Sequence, residues 1–298
     1  MKKFKGLRRA YKRSKFSSII GNLLCANVNI IIKGDDIMGR KTTDRTGERN
    51  INNFGSEMII VGYRTNKDID VYFSEYNYIV KNKRYHNFKK GNIRCPYERS
   101  TYGIGCIGEG DYRVSENGKI TRVYNTWHNM LQRCYDEEYH EKYPTYIGCK
   151  SDENWHNFQN FGEWDSENYY EVEGQQMHLD KDILVKHNKI YSPETCIYVP
   201  QAINKLFVKN DKNRGESAIG TNYHKRDKIY QTHCSIINPE TGKSKYEYLG
   251  IYETEIEAFE VYKCYKERNI KEIADYFKKE IPVELYDALY KYEVEITD

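Results

Sequence analysis

The chain has 298 residues, of which 31% are charged, and its formal net charge at neutral pH is +3. This length can bury a sizeable core and usually corresponds to two or three modest domains. An apolar stretch follows the basic start of the chain, but it is too short and too polar to span a bilayer, so we expect a cytoplasmic protein without a membrane segment.

The charges are unevenly distributed along the chain. Residues 1–40 carry ten Lys and Arg against two Asp, residues 136–173 carry eleven acidic and two basic side chains, and residues 205–250 carry nine basic and five acidic ones. Local fields steer partners more than a small net charge does. The pattern therefore predicts a basic surface for phosphate contacts and acidic helices that face solvent or a basic partner. We interpret residues 1–49 as a basic N-terminal extension.

Residues 50–110 are typical of a small β-rich module. Runs such as "EMIIVGYRTNKDIDVYF" alternate between apolar and polar residues and are interrupted by Gly and Asn-Lys turns, which is the period of half-buried strands. Lysines lie on the turns of this module, where they either contact phosphates or are simply solvated.

Residues 111–208 begin with two predicted helices. Apolar residues at helical spacing indicate a helix over 124–140, with Asn125 or Thr126 available as its N-cap. Aromatic residues then recur every three positions from Trp155 to Trp164, which predicts a second helix packed on the first.

Eight cysteines are scattered along the chain without a CxxC pair. Such spacing favours reduced, mostly buried thiols over a disulfide framework. A mixed zinc site formed by Cys134, Cys149 and His128 is the alternative interpretation.

Residues 209–298 predict three short strands at about 218–224, 229–237 and 244–252, followed by helices. Thr254 and Glu257 have the spacing of a capping box at the start of the first helix. Together with the preceding segments, this predicts an α+β fold of several small modules: an N-terminal β-rich module, a central region with helices, and a C-terminal three-stranded sheet with helices.

The segment 218–270 resembles the Apetala-type DNA-binding domain through "IGTNY", "KIYQTHC" and "YLGIYETEIEAFEVY". The resemblance implies a three-stranded sheet whose exposed face enters the major groove of DNA. It also implies that the DNA-contacting positions are Lys225, Arg226, Lys228, Tyr230, Gln231, His233, Lys243 and Lys245. Lysines at such positions mainly contact phosphates and place the protein on the duplex.

Residues 124–208 resemble HNH endonuclease-like modules, which bacteriophages often fuse to such a domain. The matching segments are "TWHNMLQRCY", "WHNFQNFGEW", "LDKDIL", "YSPETCIYVP" and "IN", in this order. The resemblance implies a ββα hairpin that holds a divalent metal ion and a general base.

In that hairpin the resemblance puts Asp180 at the position of the general base, which is usually histidine, and makes Asp180, Asp182 and Asn204 the metal ligands. His178 is the alternative base because it lies on the same strand face as Asp180. A carboxylate with a pKa of about 4 is a weaker base than an imidazole with a pKa of about 6.5. The sequence therefore favours binding over cleavage.

Two classes of function follow from these expectations. The first is a phage-type accessory protein of the host bacterial cytoplasm that binds DNA, or that binds and inhibits a host DNA-handling defence complex such as Gabija, without a required cofactor. The second is a metal-dependent homing-type DNA endonuclease that uses Mg²⁺ or Mn²⁺. Assembly into a homo-oligomer is compatible with both.

Overall fold

The computed structural model of the protein describes residues 43–208, 217–296 and 298. It contains helices together with several small sheets, which confirms the predicted α+β class. Most of the predicted basic extension, residues 1–42, lies outside the described residues. Three clusters of buried apolar side chains organise the fold.

The first cluster lies under an antiparallel four-stranded sheet with strand order β1-β2-β3-β4. In β3 every second residue is buried, so Ile69, Val71 and Phe73 point into the core, as the alternating sequence predicts. Phe88 of a short helix covers the same side. The elements are β1 Arg49–Ile51, β2 Glu57–Thr65, β3 Asp68–Phe73, β4 Tyr78–Lys83 and α1 Tyr85–Lys89.

The second cluster is aromatic and lies between the central helices. Trp127 and Trp155 are buried in it, and the indole N–H of Trp127 donates to the carbonyl of Trp155 at 2.7 Å. A buried indole usually needs such a partner. The elements are β5 Ser115–Glu116, β6 Lys119–Ile120, α2 Arg122–Tyr135, α3 Glu137–Lys142, a 3₁₀ turn Pro144–Tyr146, β7 Lys150–Ser151, a 3₁₀ turn Glu153–His156 and α4 Phe158–Asn168.

The helix predicted over 124–140 is two helices in the structure. Asp136 is extended, and its side chain accepts the backbone N–H of Tyr139, so it ends α2 and caps α3. The N-cap of α2 is Thr121, not Asn125 or Thr126. An aspartate competes well for backbone donors outside a helix, which explains the break.

A short antiparallel hairpin follows the central helices. Strand β8 pairs with β10, with His178 opposite Val199 and Asp180 opposite Ile197, and a one-turn helix continues directly from β10. Strand β9 runs parallel to β7. The elements are β8 Met177–Asp180, β9 Ile190–Tyr191, β10 Ile197–Pro200, α5 Gln201–Asn204 and a 3₁₀ turn Lys205–Phe207.

The C-terminal sheet has the order β11-β12-β13 and is antiparallel, with an irregularity between Thr232 and His233. One face packs on a long helix, where the Thr232 hydroxyl donates to the carbonyl of Ala258. The three-stranded sheet with helices predicted for this region is confirmed. The elements are β11 Thr221–His224, β12 Ile229–Ile237, β13 Ser244–Tyr252, α6 Glu255–Phe277 and α7 Val283–Lys291.

The capping box predicted at the start of α6 is present. The Thr254 hydroxyl accepts the N–H of Glu257, and the Glu257 carboxylate accepts the N–H of Thr254. Thr254→Ala is expected to lower the free energy of unfolding by about 1 kcal/mol, because helix donors lose their acceptor. Urea denaturation measures the change, and Thr254→Ser, which keeps the acceptor, should stay close to wild type. Equal losses in both variants would contradict the capping role.

The third apolar cluster is shared between α6, α7, the sheet and the central hairpin. Phe259, Ile270 and Phe277 of α6 pack in the same buried cluster as Val199 and Ile203 of the hairpin. None of the helices in the described ranges is long and apolar enough to cross a membrane.

Candidate nucleic-acid interface and the central hairpin

The face of the C-terminal sheet that points away from α6 carries three clustered rings. Thr232 and Cys234 are buried toward the helix, so the intervening His233 points the other way. On β13, Tyr248 pairs with His233, and Tyr246 pairs with the next residue on the same face of β12. The His233 ring lies 5.1 Å from the Tyr246 ring at 15° and 5.2 Å from the Tyr248 ring.

We call His233, Tyr246 and Tyr248 the aromatic platform. Tyr246 is 73% exposed and Tyr248 is 56% exposed, although each carries a large apolar ring. Cross-strand contacts hold the three rings in place in the unbound protein. The platform is therefore a preformed aromatic surface open to solvent.

Basic residues lie beyond both ends of the platform along the strands. Lys225, Arg226 and Lys228 are exposed in the β11–β12 turn, and Lys243 lies in the β12–β13 turn. From Lys228 to the end of β12 the chain extends about 30 Å at a rise of about 3.3 Å per residue. This span matches several nucleotides of an extended strand.

Acidic neighbours reduce part of this positive charge. Asp227 pairs with Arg226 at 2.9 Å and with the imidazole of His224 at 2.9 Å. Lys228 adopts a positive φ of 57° at the end of the same turn. The lysines of the two turns are thus the more available phosphate contacts.

The structure divides the predicted DNA-contacting residues between the two faces of the sheet. Gln231 lies on the platform face with His233, whereas Tyr230 lies on the face of Thr232, and its ring contacts Tyr223 at 4.9 Å. Lys245 also lies on the α6 face and pairs with Glu247 at 2.9 Å. Tyr230 and Lys245 therefore do not join the platform, contrary to the single exposed face that the resemblance implied.

Tyr246 and Tyr248 are the residues that sequence reasoning missed. The signal was present in "SKYEYLG", where tyrosines alternate with Glu247 and precede a glycine. Alternation alone places both tyrosines on one face, but only the pairing register with β12 brings them against His233.

Asp180, which the HNH-like resemblance put at the position of the general base, is the last residue of β8 in the central hairpin. Its Oδ1 accepts the backbone N–H groups of Asp182 at 2.9 Å and Ile183 at 2.8 Å, so the carboxylate caps the turn that follows. Burial, followed by the negative charge of Asp182, raises the pKa of Asp180 to about 6. The pKa of Asp180 is thus higher than the ordinary carboxylate value that the sequence suggested, which would make it a better base. However, its Oδ1 atom is already hydrogen-bonded to the backbone.

His178 lies two residues before Asp180 on the same strand face. Burial, followed by the positive charges of Arg133 and Lys205, lowers its pKa and so favours the neutral imidazole. Its Nε2 atom is buried and, within the described part of the chain, has no hydrogen-bond partner. A general base must reach the water that it activates, and this nitrogen is closed off from solvent.

Two of the three predicted metal ligands, Asp180 and Asp182, have other partners in this structure. The Asp182 carboxylate pairs with the Lys181 ammonium at 3.0 Å, and Asn204 lies at the end of α5, half-buried. Divalent ions require several converging oxygen ligands. The hairpin instead uses one carboxylate for a turn and the other for an ion pair.

Among the described residues, one group of His, Cys, Asp or Glu side chains has three ligand atoms close enough to share an ion: His187, Glu295 and Asp298. Neither hairpin aspartate belongs to this group, nor do the cysteines of the alternative zinc site. The Lys186 ammonium lies 3.0 Å from Glu295 and 2.8 Å from Asp298. A protein cation therefore already compensates these carboxylates.

The raised pKa of Asp180 gives a pH-dependent contribution to stability. The folded state holds the proton more tightly than the unfolded state, so the contribution is full below pH 4 and is lost as pH rises through about 6. Asp180→Asn keeps an oxygen for the two N–H donors but does not titrate. We expect wild type to lose stability relative to Asp180→Asn between pH 4 and pH 7, measured by urea denaturation at each pH. A constant difference between the two proteins would contradict the raised pKa.

Comparison with protein-family models, with curated proteins and with solved structures finds no match to this chain.

Proposed function

We propose that the protein binds nucleic acid through the platform face of the C-terminal sheet and does not cleave it. The observation that carries the proposal is the exposed, preformed aromatic platform of His233, Tyr246 and Tyr248. Aromatic side chains that are held open to solvent stack on bases, and each such contact is worth about 1–3 kcal/mol.

The distribution of basic residues also supports the platform face as the nucleic-acid-binding surface. Lysines in the turns at both ends of β12 can neutralise phosphates of a strand that crosses the platform. The bases would then lie toward the rings while the backbone follows the basic turns. DNA is the target that the Apetala-type resemblance favours, within a phage-type accessory protein of a host bacterium.

The central hairpin supports binding rather than cutting. Asp180 is held by two backbone donors, and the His178 Nε2 is buried. A metal-dependent nuclease needs an accessible base and an open set of oxygen ligands beside it. The hairpin is better suited to a structural role, since Val199 and Ile203 contribute to the shared core.

A second candidate is direct binding to a host defence complex such as Gabija. The observation that favours it is the acidic, solvent-exposed surface of α3, where Glu137, Glu138 and Glu141 are exposed. Such a surface suits a basic protein partner. The two candidates differ in which face of the protein is occupied.

Fluorescence anisotropy with a labelled 20-nucleotide single strand and with the matching duplex tests the proposal. We expect binding whose affinity falls steeply between 50 and 200 mM NaCl, because phosphate contacts release counterions. Binding that does not change with salt, or no binding to either probe, would contradict it. A stable nuclease-resistant complex captured from host lysate, without DNA binding, would favour the protein-partner candidate.

Incubation with supercoiled plasmid in Mn²⁺ or Mg²⁺ separates binding from cleavage. We expect no nicking above a metal-free control, because neither candidate base is both free and exposed. Nicking that is lost in His178→Ala or Asp180→Ala would establish the endonuclease alternative instead.

A further inference from the structure

A separate cavity of about 350 Å³ lies between the segment that follows the N-terminal sheet and helix α2. Arg94, Ser100 and Tyr102 line it from that segment, and Tyr124 and His128 line it from α2. Its size falls within the usual range of small-molecule sites, which often lie where two parts of a fold meet. None of these residues belongs to the platform or to the central hairpin.

One wall of the cavity is aromatic. The His128 ring lies 5.1 Å from the Tyr102 ring and 5.9 Å from the Tyr124 ring, so three rings are contiguous. Tyr102 adopts a positive φ of 51°, which is uncommon for a bulky residue. Backbone bonds between Thr101 and Gly105 close the tight loop that holds it there. The loop therefore fixes a large ring against α2.

The polar part of the cavity is suited to an anion. Arg94 lies over the Phe54 ring at 3.9 Å, which orients its guanidinium, and Ser100 adds an exposed hydroxyl. Glu98 lies 3.6 Å from the Arg94 Nε and is itself buried. Among the described residues, the lining of the cavity contains no Asp or Glu, and Glu98 pairs with Arg94 from outside that lining.

We propose that this cavity binds a nucleoside monophosphate, with its base against the rings of Tyr102, Tyr124 and His128 and its phosphate on Arg94. Planar bases stack on such rings, and guanidinium N–H groups donate paired hydrogen bonds to phosphate oxygens. The Ser100 hydroxyl supplies a further donor for the phosphate. This site is distinct from the proposed strand-binding face and does not depend on it.

Isothermal titration of the full chain with AMP and UMP tests the assignment. We expect saturable 1:1 binding of at least one nucleotide, with the corresponding nucleoside at least ten-fold weaker, because the phosphate contact is lost. Inorganic phosphate should compete only weakly, since it lacks the ring. No saturable binding of either nucleotide, or equal binding of the nucleoside, would overturn the proposal.

Variants locate the site. Arg94→Gln should weaken nucleotide binding at least ten-fold, whereas Arg99→Gln, an exposed arginine outside the cavity, should leave it unchanged. Ser100 is exposed, so Ser100→Phe fills the cavity without replacing a core residue and should abolish binding. Unchanged binding in both Arg94→Gln and Ser100→Phe would place the nucleotide elsewhere and overturn the assignment.

Discussion

Tyr246→Ala is expected to weaken binding of a single-stranded oligonucleotide by about ten-fold. The substitution removes the most exposed ring of the platform and leaves the His233 ring without its near-parallel neighbour. Loss of one base-stacking contact corresponds to about 1–3 kcal/mol. Anisotropy titrations at fixed salt measure the change, and the salt dependence should stay the same because no phosphate contact is removed.

Two control variants separate stacking from general effects of tyrosine removal. Tyr246→Phe keeps the ring and should bind within about two-fold of wild type, since stacking does not require the hydroxyl. Tyr223→Ala removes an exposed tyrosine of the same sheet that lies with Tyr230 on the opposite face. If Tyr223→Ala weakens binding as much as Tyr246→Ala does, the platform is not the binding face.

Arg122→Met is expected to lower the free energy of unfolding by about 3 kcal/mol. Asp165 is buried, and its two oxygens accept the two terminal nitrogens of the Arg122 guanidinium, one of them at 2.9 Å. The Tyr198 hydroxyl also donates to Asp165, and Arg122 lies over the Tyr169 ring at 3.4 Å. Without the guanidinium, the buried carboxylate would keep the Tyr198 hydroxyl as a donor but would lose its compensating charge.

Tryptophan fluorescence during urea denaturation reports this change directly. The three tryptophans of the chain all lie in or against the central aromatic cluster. Arg113→Met changes an exposed arginine near the start of α2 and should be close to neutral. The double variant Arg122→Met/Asp165→Asn should recover part of the loss because it removes the unpaired charge. Full additivity of the two substitutions would contradict coupling between the Arg122 guanidinium and the buried Asp165 carboxylate.

Local patterns in the sequence predict those elements whose neighbours lie close along the chain. The C-terminal strands follow from alternation and turn residues, and the Thr254–Glu257 capping box follows from its spacing. The end of α2 at Asp136 was missed because an apolar period continues past a residue that competes for backbone donors. At Asp136 the apolar period favours a continuing helix, whereas the aspartate side chain favours a break. The sequence contains both signals, and the packing of the folded chain decides between them.

The candidate sites depend on long-range contacts that no local pattern contains. The aromatic platform needs the register of β13 against β12, because a slip of one residue would turn Tyr246 and Tyr248 to the other face. The pKa of Asp180 depends on burial that the sequence does not state. Arg94 and His128 meet at one cavity although a loop and the strands β5 and β6 separate them along the chain.

The sharing of one apolar cluster between the hairpin and the C-terminal sheet has a consequence for recombination and protein engineering. Transplanting only residues 217–292 into another scaffold would remove Val199 and Ile203 from the buried cluster that they share with Phe259 and Ile270, and would expose apolar surface to water. A graft that also includes residues 172–207 would retain Val199 and Ile203 in the buried cluster. Exchange between genes would therefore preserve folding best when hairpin and sheet are inherited together, whatever each contributes to binding.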